Sequence, residues 1–452
     1  MKRVLLLIPT TSYRTQAFLD AARTLNVELT VSSERPNVFA KRNPGGLLTL
    51  DFTKLESAAS TVVNFSEEFP IDAVVGVDDQ STIVAARVAE MLSLLHNSVA
   101  SVTVARNKYR TREALARTGL PVPKYALLSF GDDPAEVARS MDFPCVLKPL
   151  MLSASRGVIR ADNEEEFVAA FRRLGKILGE SEFARDVDSQ HCVVEDFISG
   201  TEVALEGLLV KGKLNLLALF DKPDPLEGPY FEESIYVTPS RLPNPNQEDV
   251  VACTARALRA LGLTEGPVHA EVRVNDDGCW IIEVAARSIG GFCSRALRFD
   301  WSTKSVNILS DAGRGVVSLE EIILRHALGM DIESLEREAV SSGVMMIPIP
   351  SAGILTSVAG LQEAKAVEGI GEIIMSAHLG ETLVPLPEGG KYLGFIFSRA
   401  ESSALVEASL REAHRRLEFT IATTREAGVD EGDFADRDTQ SATNLVIHPL
   451  NL

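Results

Sequence analysis

One predicted hairpin constrains this chain more than any other segment. Residues 269–274 read His-Ala-Glu-Val-Arg-Val, and 279–287 read Cys-Trp-Ile-Ile-Glu-Val-Ala-Ala-Arg, with Asn275-Asp276-Asp277-Gly278 between them. A three-residue loop, Asp276-Asp277-Gly278, with glycine at the left-handed position, is a standard hairpin connection. That loop pairs Asn275 with Cys279 and therefore sets Glu271 opposite Glu283, with Arg287 further along the same strand. Opposed residues share a sheet face with side chains about 5 Å apart, where like charges repel. The pair is expected to face a hard cation, since carboxylate oxygens suit Mg²⁺ shared with a polyphosphate. The bland alternative is a solvated face on which the two glutamates lie apart.

The chain has 452 residues, too many for one compact core, and about three domains are expected. Residues 3–9 form a continuous apolar run of the kind found in a buried parallel strand. A helix around 14–25, a strand from Val27 to Val31, a strand at 72–77 ending in Asp78-Asp79-Gln80, and a helix near 81–95 follow. This alternation predicts an N-terminal doubly wound parallel-sheet domain over 1–104. Its loop from Pro9 to Thr15 sits at a strand's carboxyl end, where such sheets bind ligands. No GxGxxG occurs there, so a dinucleotide site is unsupported. The next unit, 105–335, opens with a helix from Asn107 to Thr118, stopped by Gly119 and Pro121. It continues through a small α+β lobe at about 125–200 and a β-rich core with one helix, 247–261. A separate α+β, strand-rich lobe is expected over 336–426, then a flexible acidic tail over 427–452.

A net charge of -18 argues against nucleic acid or an anionic membrane as partner. No stretch reaches transmembrane length, and the N-terminal apolar run stops at Pro9, short of a signal segment. The five cysteines show neither a CxxC pair nor zinc spacing, so a reduced, cytoplasmic setting is expected. Cys293, in a glycine-rich loop, has no evident base beside it and reads as buried filler.

Several further segments carry chemistry. Lys148 ends the apolar strand 145–149, and the loop Ser153-Ala154-Ser155-Arg156-Gly157 follows it. Small and hydroxylated residues let a backbone close over a phosphate and donate amide hydrogen bonds, although most such loops are only turns. Val194 to Glu202 is a strand leaving one lobe for another. Its exposed backbone groups suit an adenine edge, and Glu202 either accepts from ribose hydroxyls or is a surface carboxylate. The segment 221–234 is a candidate substrate wall in which Glu232 or Glu233 meets an α-ammonium; an exposed acidic loop is the equal alternative. His269 shares a face with Glu271 and either touches substrate, orients a metal ligand or is a satisfied core histidine.

Taken together, Asn107-Lys108 with Gly119-Leu120-Pro121-Val122-Pro123, Val146 to Pro149 with its Ser/Gly loop, Val194 to Glu202, and HAEV…IIEVAAR with Gly290-Gly291 resemble the ATP-grasp superfamily in order and spacing. The likeness spans roughly 100–300 and is nearest to the bacilysin-type L-amino acid ligases, dipeptide synthetases related to carnosine synthase. Residues 342–425 resemble that subgroup's C-terminal domain less specifically. The implied fold is ATP-grasp, α/β and α+β, with a doubly wound N-terminal domain, a central nucleotide-clamping lobe and a C-terminal strand-rich lobe. The implied reaction joins a carboxylate to an amine at the expense of ATP, through an acyl-phosphate. The resemblance places Lys108 and Lys148 on ATP phosphates and Ser153, Ser155 and Gly157 in the phosphate lid. It places Glu195, Asp196 and Ile198 at the adenine, Glu202 at the ribose, and Glu271 and Glu283 on Mg²⁺, with Mn²⁺ as a substitute. Arg287 would stabilise the acyl-phosphate, and Gly290 and Gly291 would shape the substrate-carboxylate loop.

Two departures stand out: Ala285 occupies a position where many ATP-grasp enzymes carry a metal-binding Asn, and the lid has one glycine. The implied partners are small amino acids, with a homodimer left open. Other readings are a carrier-protein thiol or natural-product amine as acceptor, bicarbonate as the acid, or a non-catalytic ATP-binding regulator. The last is disfavoured because Lys148, Glu271, Glu283 and Arg287 are all present.

Overall fold

A computed structural model describes residues 1–181, 184, 186–301, 316–332 and 335–423; the expected tail over 427–452 lies outside the described residues. Arg3–Leu7 is a central strand of a four-stranded parallel sheet, flanked by Glu28–Ser33 and Ala73–Gly76, with Leu47–Thr49 at one edge. The apolar run is continuous because both faces are covered: Val4 and Leu6 pack into one core, Leu5 and Leu7 into another.

Two successive helices, Val99–Arg106 and Lys108–Arg117, lead out of this sheet. Only the second is predicted. Asn107 ends the first, and its side chain accepts the Arg110 N–H at 3.1 Å to begin the second. The first reads Val-Ala-Ser-Val-Thr-Val-Ala-Arg, a β-branched stretch of weak helix propensity, so packing of Val102 and Ala105 decides its state.

The small lobe is a four-stranded antiparallel sheet in the order Tyr125–Ser129, His191–Asp196, Cys145–Pro149, Ile159–Ala161. Helix Glu164–Gly179 closes one face with Phe167, Phe171 and Leu174. Three glutamates in its first turn oppose the helix dipole's positive end.

The central sheet has eight strands, ordered Gly278–Ala285, Gly266–Asn275, Thr201–Val210, Lys213–Asp221, Ile235–Thr238, Ser341–Ile347, Gly394–Ala400, Ile370–Met375. The expected separate lobe is thus corrected, because three of its strands extend the central sheet. Ser341–Ile347 is buried at every position, as is its neighbour Ile235–Thr238, so neither can serve as a solvated edge. What stands apart is a three-stranded sheet of Thr382–Leu383, Gly353–Ala359 and Glu418–Ala422. No helix among the described residues is long and apolar enough to cross a membrane.

The hairpin reaches its expected pairing by another route. Asn275 pairs with Gly278 rather than Cys279, so the loop is the two residues Asp276 and Asp277. A bulge between Glu271 and Val272 then skips Ile282, and Glu271 faces Glu283 after all.

Candidate active site

A cavity of about 1110 Å³ opens between the small lobe, the central sheet and the N-terminal sheet. It is lined by every candidate residue identified above except Gly157 and Glu232. Gly157 donates its N–H to Pro387 O at 2.9 Å, and Glu232 accepts the N–H of Ile349. Those two are therefore turned to the C-terminal strands instead. Between the two glutamates proposed for an ammonium, the fold brings Glu233 to the cavity.

The phosphate-side lysines are both ion-paired. Lys148 Nζ lies 2.6 Å from Glu195 Oε2, and Arg112 binds the same carboxylate at 2.7 and 3.1 Å. Burial opposes the charged form of Glu195, but Arg112 and Lys148 overcome it and hold its pKa down at about 2. The Glu195 carboxylate is thus committed to two cations, while Glu195, Asp196 and Ile198 all line the cavity at the expected hinge. Lys108 Nζ lies 3.2 Å from Glu283 and 2.8 Å from Leu152 O. In the lid loop, Ala154 and Ser155 join Gly157 at positive φ, so the single glycine is supplemented by two strained residues. A turn at 386–388, between the strands Thr382–Leu383 and Gly394–Ala400, clasps this lid. Arg156 Nε donates to Glu388 O at 2.9 Å, and Arg173 binds the Glu388 carboxylate at 2.6 and 2.8 Å.

On the opposite wall, Lys222 lies 2.6 Å from Glu202, 2.6 Å from Glu233 and 3.2 Å from Glu271. Arg273 takes the other oxygen of Glu202 at 2.8 Å, so Lys222 and Arg273 together fix this carboxylate on the cavity wall. Arg273 also donates to the carbonyl of Ile198, and Asp196 N is already bonded to Lys124 O at 3.0 Å. His269 Nε2 lies 3.7 Å from Glu271, which groups it with the carboxylates.

Lys222 and Arg273 supply two positive charges for the three carboxylates, and Arg273 serves Glu202 alone. Burial and the neighbouring Glu271 push Glu233 up to about 8 despite Lys222, while Glu271 is held well below the usual range, burial being outweighed by Lys222 and His269. Glu233 therefore keeps its proton and bonds to ionised Glu271. A raised carboxyl pKa stabilises the folded state fully below its unfolded value and loses that contribution as pH rises through the folded one. Melting temperature should therefore fall for the wild type relative to Glu233→Gln between about pH 4.5 and about 8; parallel curves would refute the assignment.

Arg287 Nη2 binds Asp79 at 2.8 Å, and its Nη1 binds Ser288 O at 3.0 Å. Burial works against the charge, but Asp79 holds the guanidinium firmly cationic. The loop beyond is tied by Arg14, which reaches Ser288 Oγ at 2.5 Å and Glu320 at 3.0 Å. Glu206, fully buried and pushed well up by desolvation, accepts the Ile289 N–H at 2.9 Å. Sequence reasoning did not single out Asp79, Arg14, Lys222 or Glu206. Arg14 does lie in the strand-end loop marked as ligand-binding, Asp79 at the end of another strand of that sheet, and Lys222 in the candidate wall. Glu206, inside an apolar strand, had no such signal.

Gly291 has φ +59, and a Cβ there would run into Met346 Sδ. Gly291→Ala should cost at least about 1–2 kcal/mol in denaturant titration and raise KM for the substrate; unchanged stability and KM would contradict this.

Glu271 and Glu283 are paired across the hairpin and line one cavity, each with a lysine on its carboxylate; the carboxylate oxygens that cluster within 4.8 Å of one another are those of Glu202, Glu233 and Glu271, oxygen donors of the kind that suits a hard divalent cation.

Three family models match. Residues 19–94 match the ATP-grasp N-terminal domain, 141–296 the ATP-grasp domain, and 345–422 the L-amino acid ligase C-terminal domain 2. The crystal structure of an L-amino acid ligase from Bacillus licheniformis superposes with TM-score 0.76 at 25% identity, covering 94% of this chain and 99% of that one. An uncharacterized protein of Sinorhizobium fredii is 22% identical over 429 residues, 93% of this chain and 84% of that protein. Alanine–anticapsin ligase of Bacillus subtilis is 25% identical over 249 residues, 52% of each chain, so the match spans about half of that relative's length.

With this fold and these matches, the chain is an enzyme with the ATP-grasp fold that carries an ATP-grasp domain and its N-terminal partner domain. It is of the carbon–nitrogen ligase type and, within the superfamily, resembles the L-amino acid ligases.

Proposed function

We propose that this enzyme joins two L-amino acids into an α-dipeptide, with ATP converted to ADP and phosphate through an acyl-phosphate. The observation that carries this reading is the assembly on one cavity of Lys108 and Lys148, the opposed Glu271 and Glu283, and Arg287 beside the Gly290–Gly291 loop.

A carboxylate oxygen of the first amino acid attacks the γ-phosphorus, and the bond to the β,γ-bridging oxygen breaks, releasing ADP. The amine nitrogen of the second amino acid attacks the acyl carbon. The carbon–oxygen bond then breaks, phosphate leaves, and the proton released by the amine passes to the departing phosphate. Both first reactants are anionic, so the lysines offset the polyphosphate's charge while Arg287 faces the oxyanion that develops at the acyl carbon. Magnesium, or manganese in its place, would be held by Glu271 and Glu283 and would supply further charge neutralisation for the phosphates. The clasp between Arg173 and Glu388 keeps the lid over the cavity, where an acyl-phosphate needs shelter from water. Glu233, on the same cavity wall, would meet a substrate α-ammonium by giving up its proton. We place the reaction among small molecules of the cytoplasm.

The test is phosphate release from MgATP with single and paired amino acids, with Glu283→Ala as control. Release confined to particular pairs, with an equimolar condensed product by mass, is expected. Release without regard to the pair, or unaffected by Glu283→Ala, would overturn the reading.

A further inference from the structure

The end of the cavity beyond Gly291 is aromatic, and three distant parts of the chain supply it. Tyr13 comes from the loop after the first strand and Phe292 from the loop after the Glu283 strand. Tyr392 and Phe395 come from the C-terminal part of the central sheet, and all four line the cavity. Ring centroids are 4.1 Å apart for Tyr13–Phe292, 4.8 Å for Phe292–Phe395, 6.0 Å for Tyr392–Phe395 and 6.1 Å for Tyr13–Phe395.

Core packing alone does not account for this cluster. Tyr13 keeps 42% of its surface exposed while lining the cavity. Phe292 holds φ +55, a left-handed conformation that is costly for a bulky side chain. Its N–H donates to the Tyr13 hydroxyl at 3.4 Å, which links the two loops across the cavity mouth. Strain held in this way, at an aromatic residue on a cavity wall, marks a place where ring position matters more than local stability. Among the described residues, the cation stacked on Phe292 is Arg295, which is paired with Glu372 at 2.9 Å. The polar end of the wall is Glu233, and the Tyr392 phenol near it is held in its neutral form chiefly by burial.

We propose that this wall is the side-chain subsite for one of the two amino acids and selects a large apolar, preferentially aromatic, side chain. The inference rests on the ligase reading and sharpens it. Rings prefer offset or edge-on neighbours at the separations these four already show, and a phenyl group laid among them replaces water with such contacts.

The test uses the full chain with MgATP and compares alanine, leucine and phenylalanine as the varied substrate, in wild type and Tyr13→Ala. Wild-type kcat/KM for phenylalanine should exceed that for alanine by about tenfold to a hundredfold, the discrimination an apolar pocket achieves. In Tyr13→Ala that ratio should drop about tenfold. Equal values in the wild type, or a uniform loss that leaves the ratio unchanged, would overturn the subsite. Should no pair yield product, the ligase reading fails by itself. Calorimetric titration with L-phenylalanine and L-alanine then decides the subsite: phenylalanine binding that Tyr13→Ala weakens sustains it, and equal or absent binding of both overturns it.

Discussion

Arg287→Ala should lower kcat by about 10²–10³-fold, the loss usual when a preorganised donor facing a developing oxyanion is removed. The geometry makes this residue hard to replace. Its guanidinium is largely enclosed, aimed by Asp79 at 2.8 Å, and fastened at the other nitrogen to Ser288 O, one residue before the Ile289–Gly291 loop. Arg287→Lys keeps a charge but gives up the planar fork that satisfies both partners at once, so it should recover only a small part of the lost rate. Alanine also strands the Asp79 carboxylate, which the arginine holds in its ionised form. Arg287→Ala, Asp79→Asn should therefore be more stable than Arg287→Ala while remaining as slow. Pre-steady-state phosphate release reads the chemical step directly. A kcat within about threefold of wild type for Arg287→Ala would remove Arg287 from the reaction.

The second large effect is on stability. Glu195→Ala should destabilise the fold by about 3–5 kcal/mol, because removing one member of a buried ion pair leaves an uncompensated charge. Here it leaves two, since Arg112 and Lys148 both lose their counterion. Arg112 also donates to Ile281 O at 2.8 Å and Ile282 O at 2.9 Å, on the strand that carries Glu283, so the loss reaches the proposed metal site as well as the lobe junction. The pKa of Glu195 is lowered in the folded state. Its contribution is therefore present above the ordinary carboxylate value and is lost as pH falls from about 4.5 toward about 2. Urea unfolding at pH 7 and pH 3 should show the wild type approaching the Glu195→Ala variant at the lower pH. A loss under about 1 kcal/mol at pH 7 would show that the two cations relax into water.

Much of this site was legible because its residues sit where local rules are strict. Lys148 closes an apolar strand, the Ser/Gly loop follows at once, and the two glutamates lie on one hairpin, so short-range pattern alone brings them near each other. The hairpin also shows how such reasoning can reach a true pairing through a false turn. The loop is one residue shorter than expected, and the bulge that restores the pairing has no sequence mark, since Ile282 is simply another apolar residue in a strand. Long-range partners were not legible. Asp79 meets Arg287 across 208 residues, and Arg14 meets Glu320 across 306. Lys222 is drawn among Glu202, Glu233 and Glu271 by the order of strands in the central sheet, which local periodicity does not specify. The same gap separates the expected C-terminal lobe from the observed sheet, because a buried strand reads alike whether it begins a new domain or extends an old one.

That continuous sheet governs how the chain can be divided. The change of character near residue 336 invites truncation there, to obtain a minimal catalytic fragment. Such a cut would strip Ser341–Ile347 from Ile235–Thr238 and lay bare a strand buried at all four of its positions. An apolar strand with its hydrogen-bonding edge open to solvent is a template for self-association. The fragment would keep both glutamates of the hairpin yet lose Tyr392, Phe395 and the Glu388 clasp. The C-terminal strands are therefore no removable accessory, and the unit that can be cloned, swapped or evolved as a module is the whole sheet.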